Sequence, residues 1–467
     1  MEPLPNTRRH LVDQIKTRLT YNLAPIIVVR GSRQIGKTTA CQHVIFDFLQ
    51  QGIDPKQIFR VQFDDLDSLR IGPDPINQLV SWYEEVILFD TINNQANLGK
   101  ACYLFFDEVQ NLGDWSTQLK FLADHIEVQI VVTGSSALRI EQGRDSLAGR
   151  INTLEAGTLS ITEIGKIRGL ETPEPFMPDN GISKMKNKEF WENLREYGQN
   201  HQSFIQEVFS VFSSRGAYPI AHLRASAPWE LVADQLNETV IKRVIQHDLR
   251  IGEKGRKRDP QLLEELFRLC CRYAGQSPSI QKLTQEIQLT LGANIGIQRV
   301  RTYLKFLSDT LLIRLIDPLE IRLKKKKSDS KICLSDPSLR SSWLQENIPL
   351  EFDNNEENLD IATLAGYMAE SVVGALFSNI SGLDVNHLPS RGKEPEVDFV
   401  LSIGDQRIPI EVKYRNTIRK NHFDGLQWFI SNKINRATFG VLITKDAVPS
   451  VDDRIITIPL RDLLLLR

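Results

Sequence analysis

After the strand-like Ile26-Ile27-Val28-Val29-Arg30 comes Gly31-Ser32-Arg33-Gln34-Ile35-Gly36-Lys37-Thr38-Thr39, and the reading of the whole chain starts there. Gly31 to Thr38 satisfies the pattern GxxxxGK followed by Ser or Thr, between a strand and a helix-patterned stretch that carries Ala40, Val44, Ile45 and Phe48. Each residue type has a reason to be there. Glycines let backbone N–H groups close around phosphate oxygens, Lys37 reaches β and γ phosphates, and Thr38 at a helix N-terminus can ligate Mg²⁺. Gly31, Ser32, Arg33, Gln34, Ile35, Gly36, Lys37, Thr38 and Thr39 are therefore the expected phosphate-binding residues.

Outward from this loop the first third alternates apolar strands with helix-length intervals: APIIVVRG, QIFRVQFDD, ACYLFFDE and VQIVVTGSS. That rhythm predicts a parallel α/β sheet. Tyr103 to Phe106 forms a short apolar strand ending in Asp107 and Glu108, at the carboxyl edge where ligands bind in open α/β folds. Asp107 is expected to hold Mg²⁺ through its water shell, and Glu108 to orient or deprotonate an attacking water. The strand VQIVVTGSS ends in hydroxyls, Thr133, Ser135 and Ser136, placed to sense a terminal phosphate or to serve as an ordinary polar strand end. Farther on, Ser146-Leu147-Ala148-Gly149-Arg150 offers an arginine for transition-state charge, in cis or across a subunit boundary, or a structural arginine.

The chain has 467 residues, room for about three domains. Hydrophobic residues make up 41% and charged residues 25%, which excludes a disordered, collagenous or disulfide-built chain. Lys and Arg number 57 against 59 for Asp and Glu, so any basic surface must be local. The five cysteines, Cys41, Cys102, Cys270, Cys271 and Cys333, lack paired spacing and predict neither a zinc site nor a disulfide framework. The N-terminus lacks the apolar core of a signal peptide, and apolar runs such as Pro25 to Val29 are strand-sized. The expectation is a cytoplasmic protein without a membrane span.

Residues 161–255 carry helical spacing broken by ETPEPFMPDNGISK, and read as a helical lid and linker. From Asp259, three helix-patterned stretches precede the strand-like LLIRLIDPLE and KICLSD, the order of a winged helix-turn-helix. Arg256, Lys257, Arg258, Arg299, Arg301 and Lys324 to Lys327 could track a phosphate backbone there, or form a solvated basic face of a protein-binding module. Tyr303 and Phe306 read as core. After the acidic DNNEENLD, alternation in EVDFVL sets Glu396 and Asp398 opposite Val397, Phe399 and Leu401, and IPIEVKY sets Glu411 and Lys413 on one face. A hairpin across SIGDQ would bring Asp398 and Glu411 to one divalent cation with Lys413 beside the phosphate or water. Upstream, Glu370 lies between Gly366 and Gly374 on a helix face that can approach a sheet closely.

Two resemblances follow. RGSRQIGKTT, FFDE, TGSS and SLAGR, in this order, are similar to the signatures of prokaryotic AAA-type ATPases near the STAND clade that carry a C-terminal domain of unknown function. LEAGTLSITEI, RGAYP and KICLSDPSLR resemble that family's later marks, with Ser32 standing for a frequent proline and Ala217 for a glycine. Glu370, Asp398 and Glu411-x-Lys413 resemble the PD-(D/E)XK nuclease pattern, whose carboxylates hold Mg²⁺ and clamp the scissile phosphate. Together they imply an α/β fold in four parts: a P-loop ATPase sheet over 1–160, the helical lid over 161–255, a winged helix over 256–345, and a restriction-endonuclease-like α/β domain over 346–467. They imply ATP and Mg²⁺, with Mn²⁺ as an alternative at the nuclease-like site, and DNA or RNA as partner. Glu108, Lys37, Arg150 and Lys413 would be catalytic; Thr38, Asp107, Glu370, Asp398 and Glu411 would ligate metal. An Arg150 acting in trans requires a homo-oligomer. The alternative is a nucleotide-dependent switch or scaffold whose nuclease-like domain is inactive and binds a protein.

Overall fold

The computed structural model describes all residues except 1–3, 64–73, 113, 135–146, 179–180, 249–258, 321–328, 352–358, 391 and 393. Two compact units divide at Gly157 and Thr158. In the first, β1 (Ile26–Gly31), β2 (Ile58–Gln62), β3 (Tyr103–Asp107), β4 (Gln129–Gly134) and β5 (Ile151–Ala156) form a sheet in the order β2-β3-β4-β1-β5. Every pairing is parallel, as the sequence rhythm predicts. β1 and β4 are apolar and buried on both faces, the pattern of interior strands of a covered sheet. Val28, Leu104, Phe106, Ile130 and Val132 pack with Leu119 and Leu122 of the Trp115–His125 helix. Each such side chain contributes about 1.5–3 kcal/mol on full burial. Because all strands run the same way, the loop after β1 and the carboxylates after β3 meet one sheet edge, with β4 between them.

The second unit opens with the Ile161–Arg168 helix, closed at its start by a capping box between Ser160 and Glu163. Helices Lys188–Asn200 and Gln202–Arg215 follow. Pro260–Arg272, Ile280–Leu291 and Ile297–Asp309 come next, the first two capped by the side chains of Asp259 and Ser279. Tyr303 and Phe306 are buried. Then come β6 (Ile313–Pro318), β7 (Lys331–Leu334), the Leu359–Ser378 helix, β8 (Asp384–Leu388), β9 (Val397–Ile403), β10 (Gln406–Lys413), the Asp424–Ser431 helix, β11 (Gly440–Thr444) and β12 (Ile455–Pro459). Their sheet runs β12-β11-β10-β9-β8-β6-β7. β9 and β10 form the expected antiparallel hairpin. The antiparallel pair β6–β7 does not stand alone: β6 also pairs with β8 in parallel, which makes β7 the edge of the seven-stranded sheet.

The Leu359–Ser378 helix packs on β6, β7, β8 and β10. A Cβ at Gly374 would stand 2.4 Å from Cys333 Sγ and 2.9 Å from Phe399, so only glycine admits this approach. Gly366 faces open space instead. Against the expectation of strand-sized apolar runs, Asp360–Ser378 has the length and composition to cross a membrane, although half of it is buried within the protein as in a core helix. The quoted segments RGAYP and KICLSDPSLR meet at Asp336, which is fully buried. Its carboxylate accepts from the N–H groups of Ala217 at 2.7 Å and Ser338 at 2.8 Å.

Candidate functional sites

The loop after β1 delivers Lys37 to the first turn of the Lys37–Gln50 helix. Gln34 and Gly36 take left-handed backbone angles, φ 63° and 88°, of the kind that builds a backbone nest for anions. Gly36 caps the helix and has no side chain of its own to occupy the first-turn N–H groups. Lys37 is buried and its ammonium donates to the carbonyls of Gly31 at 3.0 Å and Ser32 at 2.9 Å, folded over its own loop. Ser32 and Ile35 are buried, Arg33, Thr38 and Thr39 are half-buried, and Gln34 is exposed.

At the end of β3, Asp107 is buried. Its Oδ1 accepts from the Thr133 hydroxyl of β4 and its Oδ2 from Arg60 of β2 at 3.2 Å. The backbone N–H of Glu108 donates to the same Thr133 oxygen at 3.2 Å, and the Glu108 carboxylate accepts from Gln110. Glu108 adopts a left-handed φ of 53°, which turns the chain sharply after the strand. Thr133 thus ties both carboxylate-bearing residues to the central strand. This donor set could take a nucleoside triphosphate with Mg²⁺: cradle and ammonium for phosphates, the Thr38 hydroxyl for the metal, and Asp107, whose two oxygens are held by Thr133 and Arg60, reaching it only through the metal's water shell. Arg150 forms a two-pronged pair with Asp124, one contact at 3.0 Å. Ser135 and Ser136 lie outside the described residues. Two participants carried no sequence signal. Arg60 is one; Arg9 is the other, and it donates to the Ile35 carbonyl of the loop at 2.5 Å.

A second cluster lines a cavity of about 580 Å³ in the C-terminal unit, with Lys331, Glu370, Asp398, Glu411, Lys413 and Gln276 in its wall. The structure brings together the four residues expected from sequence, but around a fifth. Lys331, the first residue of β7 and 1% exposed, donates to Glu370 at 2.8 Å and Asp398 at 2.7 Å. Asp398 Oδ2 accepts the Val412 N–H at 2.9 Å, and Glu411 Oε1 accepts from Lys413. Glu411 Oε2 is buried without a hydrogen-bond partner. Burial and the Asp398 charge push Glu370 and Glu411 up to about 8. Burial alone would lower the Lys331 value and raise that of Asp398. Their mutual attraction outweighs it, with Glu370 acting on Lys331 and Lys413 on Asp398, so Lys331 stands well above the usual lysine range and Asp398 below the usual carboxylate range.

A divalent cation does not fit this arrangement. Asp398 spends both oxygens on other donors and Glu370 spends one on Lys331. Among the described residues, no group of three or more His, Cys, Asp or Glu is set to hold a metal ion. Of the basic residues expected to track nucleic acid, Arg256, Lys257, Arg258 and Lys324 to Lys327 lie outside the described residues. Arg299 pairs with Asp259 at 3.6 Å and lies over the Tyr303 ring. Arg301 is exposed.

Comparison with known proteins places an AAA domain model on residues 23–165. Residues 207–349 and 365–463 match two domains of unknown function, DUF8612 and DUF4143. Uncharacterized protein MJ1637 of Methanocaldococcus jannaschii is 24% identical over 98% of this chain and 88% of its own. A structure described as Drosophila ORC bound to DNA aligns at 12% identity over 74% of this chain and 89% of that one. Its TM-score is 0.26, too low to bear on function.

Proposed function

From an N-terminal AAA-type P-loop domain followed by domains of unknown function, we propose that the chain binds and hydrolyses ATP with Mg²⁺, and that its nucleotide state controls the C-terminal module. The observation that carries this is the buried Lys37 on its loop at the same sheet edge as the Asp107–Thr133–Glu108 network. Bound Mg²⁺ would neutralise phosphate charge. Lys37 would leave its two carbonyls for the β and γ phosphates, and Thr38, with Asp107 acting through the metal's water shell, would hold Mg²⁺. Glu108, oriented through Gln110, takes the proton of the attacking water. Ser135 is assigned to the γ-phosphate. Arg150 is assigned to transition-state charge, in cis or in trans, once it leaves Asp124.

For the C-terminal module there are two readings: a nuclease-like domain that binds and cleaves DNA or RNA, and a switch or scaffold domain that binds a partner without cleaving. Lys331 favours the second, because an ammonium already answers the carboxylates that a nuclease would give to metal. The Glu108→Gln variant, which should retain ATP without turnover, tests the control. ATP should change amide hydrogen exchange across residues 365–414 in this variant and leave Lys37→Ala unaffected. ATP-bound Glu108→Gln with unchanged exchange would refute it.

A further inference from the structure

We infer that the Lys331 ammonium is a resident substitute for a divalent cation in the carboxylate cluster, so that the wild-type cluster excludes Mg²⁺ and Mn²⁺ and removal of this one side chain opens a metal site. The inference deepens the non-cleaving reading of the C-terminal module and does not depend on nucleotide binding.

The placement is built by the fold. Lys331 opens β7, the edge strand that β6 joins to β8, and Glu370 comes from the helix packed across that edge. Asp398 comes from β9 and Glu411 from β10, neighbouring strands of the same sheet. The Lys331 ammonium lies 2.8 Å from Glu370, 2.7 Å from Asp398 and 3.9 Å from the half-exposed Glu396. It also stands 5.0 Å from the centre of the Phe399 ring, a cation–π position. These four contacts leave it little freedom to swing away.

A metal shared by Glu370 and Asp398 would need oxygens at about 2.0–2.1 Å for Mg²⁺. Such an ion would lie within about 4 Å of an ammonium held by the same oxygens, and at low dielectric a +2 charge beside a +1 charge is strongly repelled. Charge counting agrees in direction: removing Lys331 takes one positive charge from the midst of Glu370, Asp398, Glu411 and the half-exposed Glu396 and leaves Lys413 as the remaining lysine of the cluster. What remains of these three carboxylates is Glu411 Oε2 and the second oxygen of Glu370, without either Asp398 oxygen to complete a shared site. Take away Lys331, and Asp398 Oδ1 and the other Glu370 oxygen become available beside them.

The test is Mn²⁺ titration of the nucleotide-free full chain, followed by calorimetry and by paramagnetic resonance of free Mn²⁺. Wild type, Lys331→Ala, Asp398→Ala, and the double variant Lys331→Ala with Asp398→Ala are compared. Lys331→Ala should bind one Mn²⁺ at least tenfold more tightly than wild type, the double variant should lose that gain, and Mn²⁺ should raise the melting temperature of Lys331→Ala only. Lys331→Met provides a second chance if the alanine variant fails to fold. Micromolar Mn²⁺ binding by wild type that Asp398→Ala abolishes would overturn the inference whatever the variants do, as would Lys331 variants with no gain. Loss of ATP binding would refute the nucleotide reading alone and leave this result standing.

Discussion

Replacing Thr133 by valine removes one hydroxyl and keeps the shape of the side chain, which makes it a sharp probe of the network behind the phosphate loop. That hydroxyl donates to Asp107 and accepts the Glu108 N–H at 3.2 Å, so one atom fixes the last residue of β3 and the one after it. A hydrogen bond to a charged group is worth about 1.5–3 kcal/mol, and an unsatisfied buried N–H costs about 1–3 kcal/mol. Asp107 keeps Arg60 at 3.2 Å, so the carboxylate is held at one oxygen and loosened at the other. If about 2 kcal/mol of this is expressed only in the transition state, turnover falls roughly 30-fold. Nucleotide affinity, set largely by Lys37 and the loop, should change less than about threefold. Steady-state ATP hydrolysis beside equilibrium binding of a fluorescent ATP analogue measures both quantities, and Thr133→Ser should restore turnover. Unchanged hydrolysis in Thr133→Val, or a loss of binding as large as the loss of turnover, would refute the reasoning.

Glu108→Gln should bind ATP like wild type while hydrolysis falls on the order of 100-fold, the scale of a lost general base, read in the same assay. His222 gives a pH signature. Burial and the nearby Arg168 and Arg215 outweigh its hydrogen bond to the Gly216 carbonyl and hold the imidazole near pKa 4. Between pH 4 and 6.5 the unfolded chain therefore binds more protons than the folded one at this residue. Its contribution is complete above pH 6.5 and fades as pH falls to 4, on the order of 3 kcal/mol in all. Melting temperature of the C-terminal unit should fall across that window, less steeply in His222→Gln; equal slopes would refute the assignment.

The N-terminal sheet was legible because its signals are local. β1, β3 and β4 are apolar runs, each ending in residues of the expected phosphate and metal site, and parallel pairing puts those ends on one edge. Asp398, Glu411 and Lys413 were legible for a similar reason, since period-two alternation fixes the face and the short turn fixes the hairpin. β8 was missed: Asp384, Asn386 and His387 spoil its apolar pattern, and it is a strand because β6 and β9 pair with it. Lys331 was missed for a deeper reason. In sequence, KICLSD reads as the second strand of a wing, where a lysine belongs in water. Only the fusion of that strand to the C-terminal sheet carries it inside, beside carboxylates 39 and 67 positions away. Arg9, next to Arg8, and the isolated Arg60 belong to no spaced motif that would announce a meeting with the loop after β1 or with an acidic strand end.

Equilibrium binding of ATP to wild type and Lys37→Ala tests the central claim most directly, because the Lys37 ammonium is already buried against the loop that is to hold the phosphates. Saturable, Mg²⁺-dependent binding by wild type that drops at least 100-fold in a folded Lys37→Ala is the predicted result. Equal affinity in the two proteins, or no ATP binding by wild type, would contradict the account.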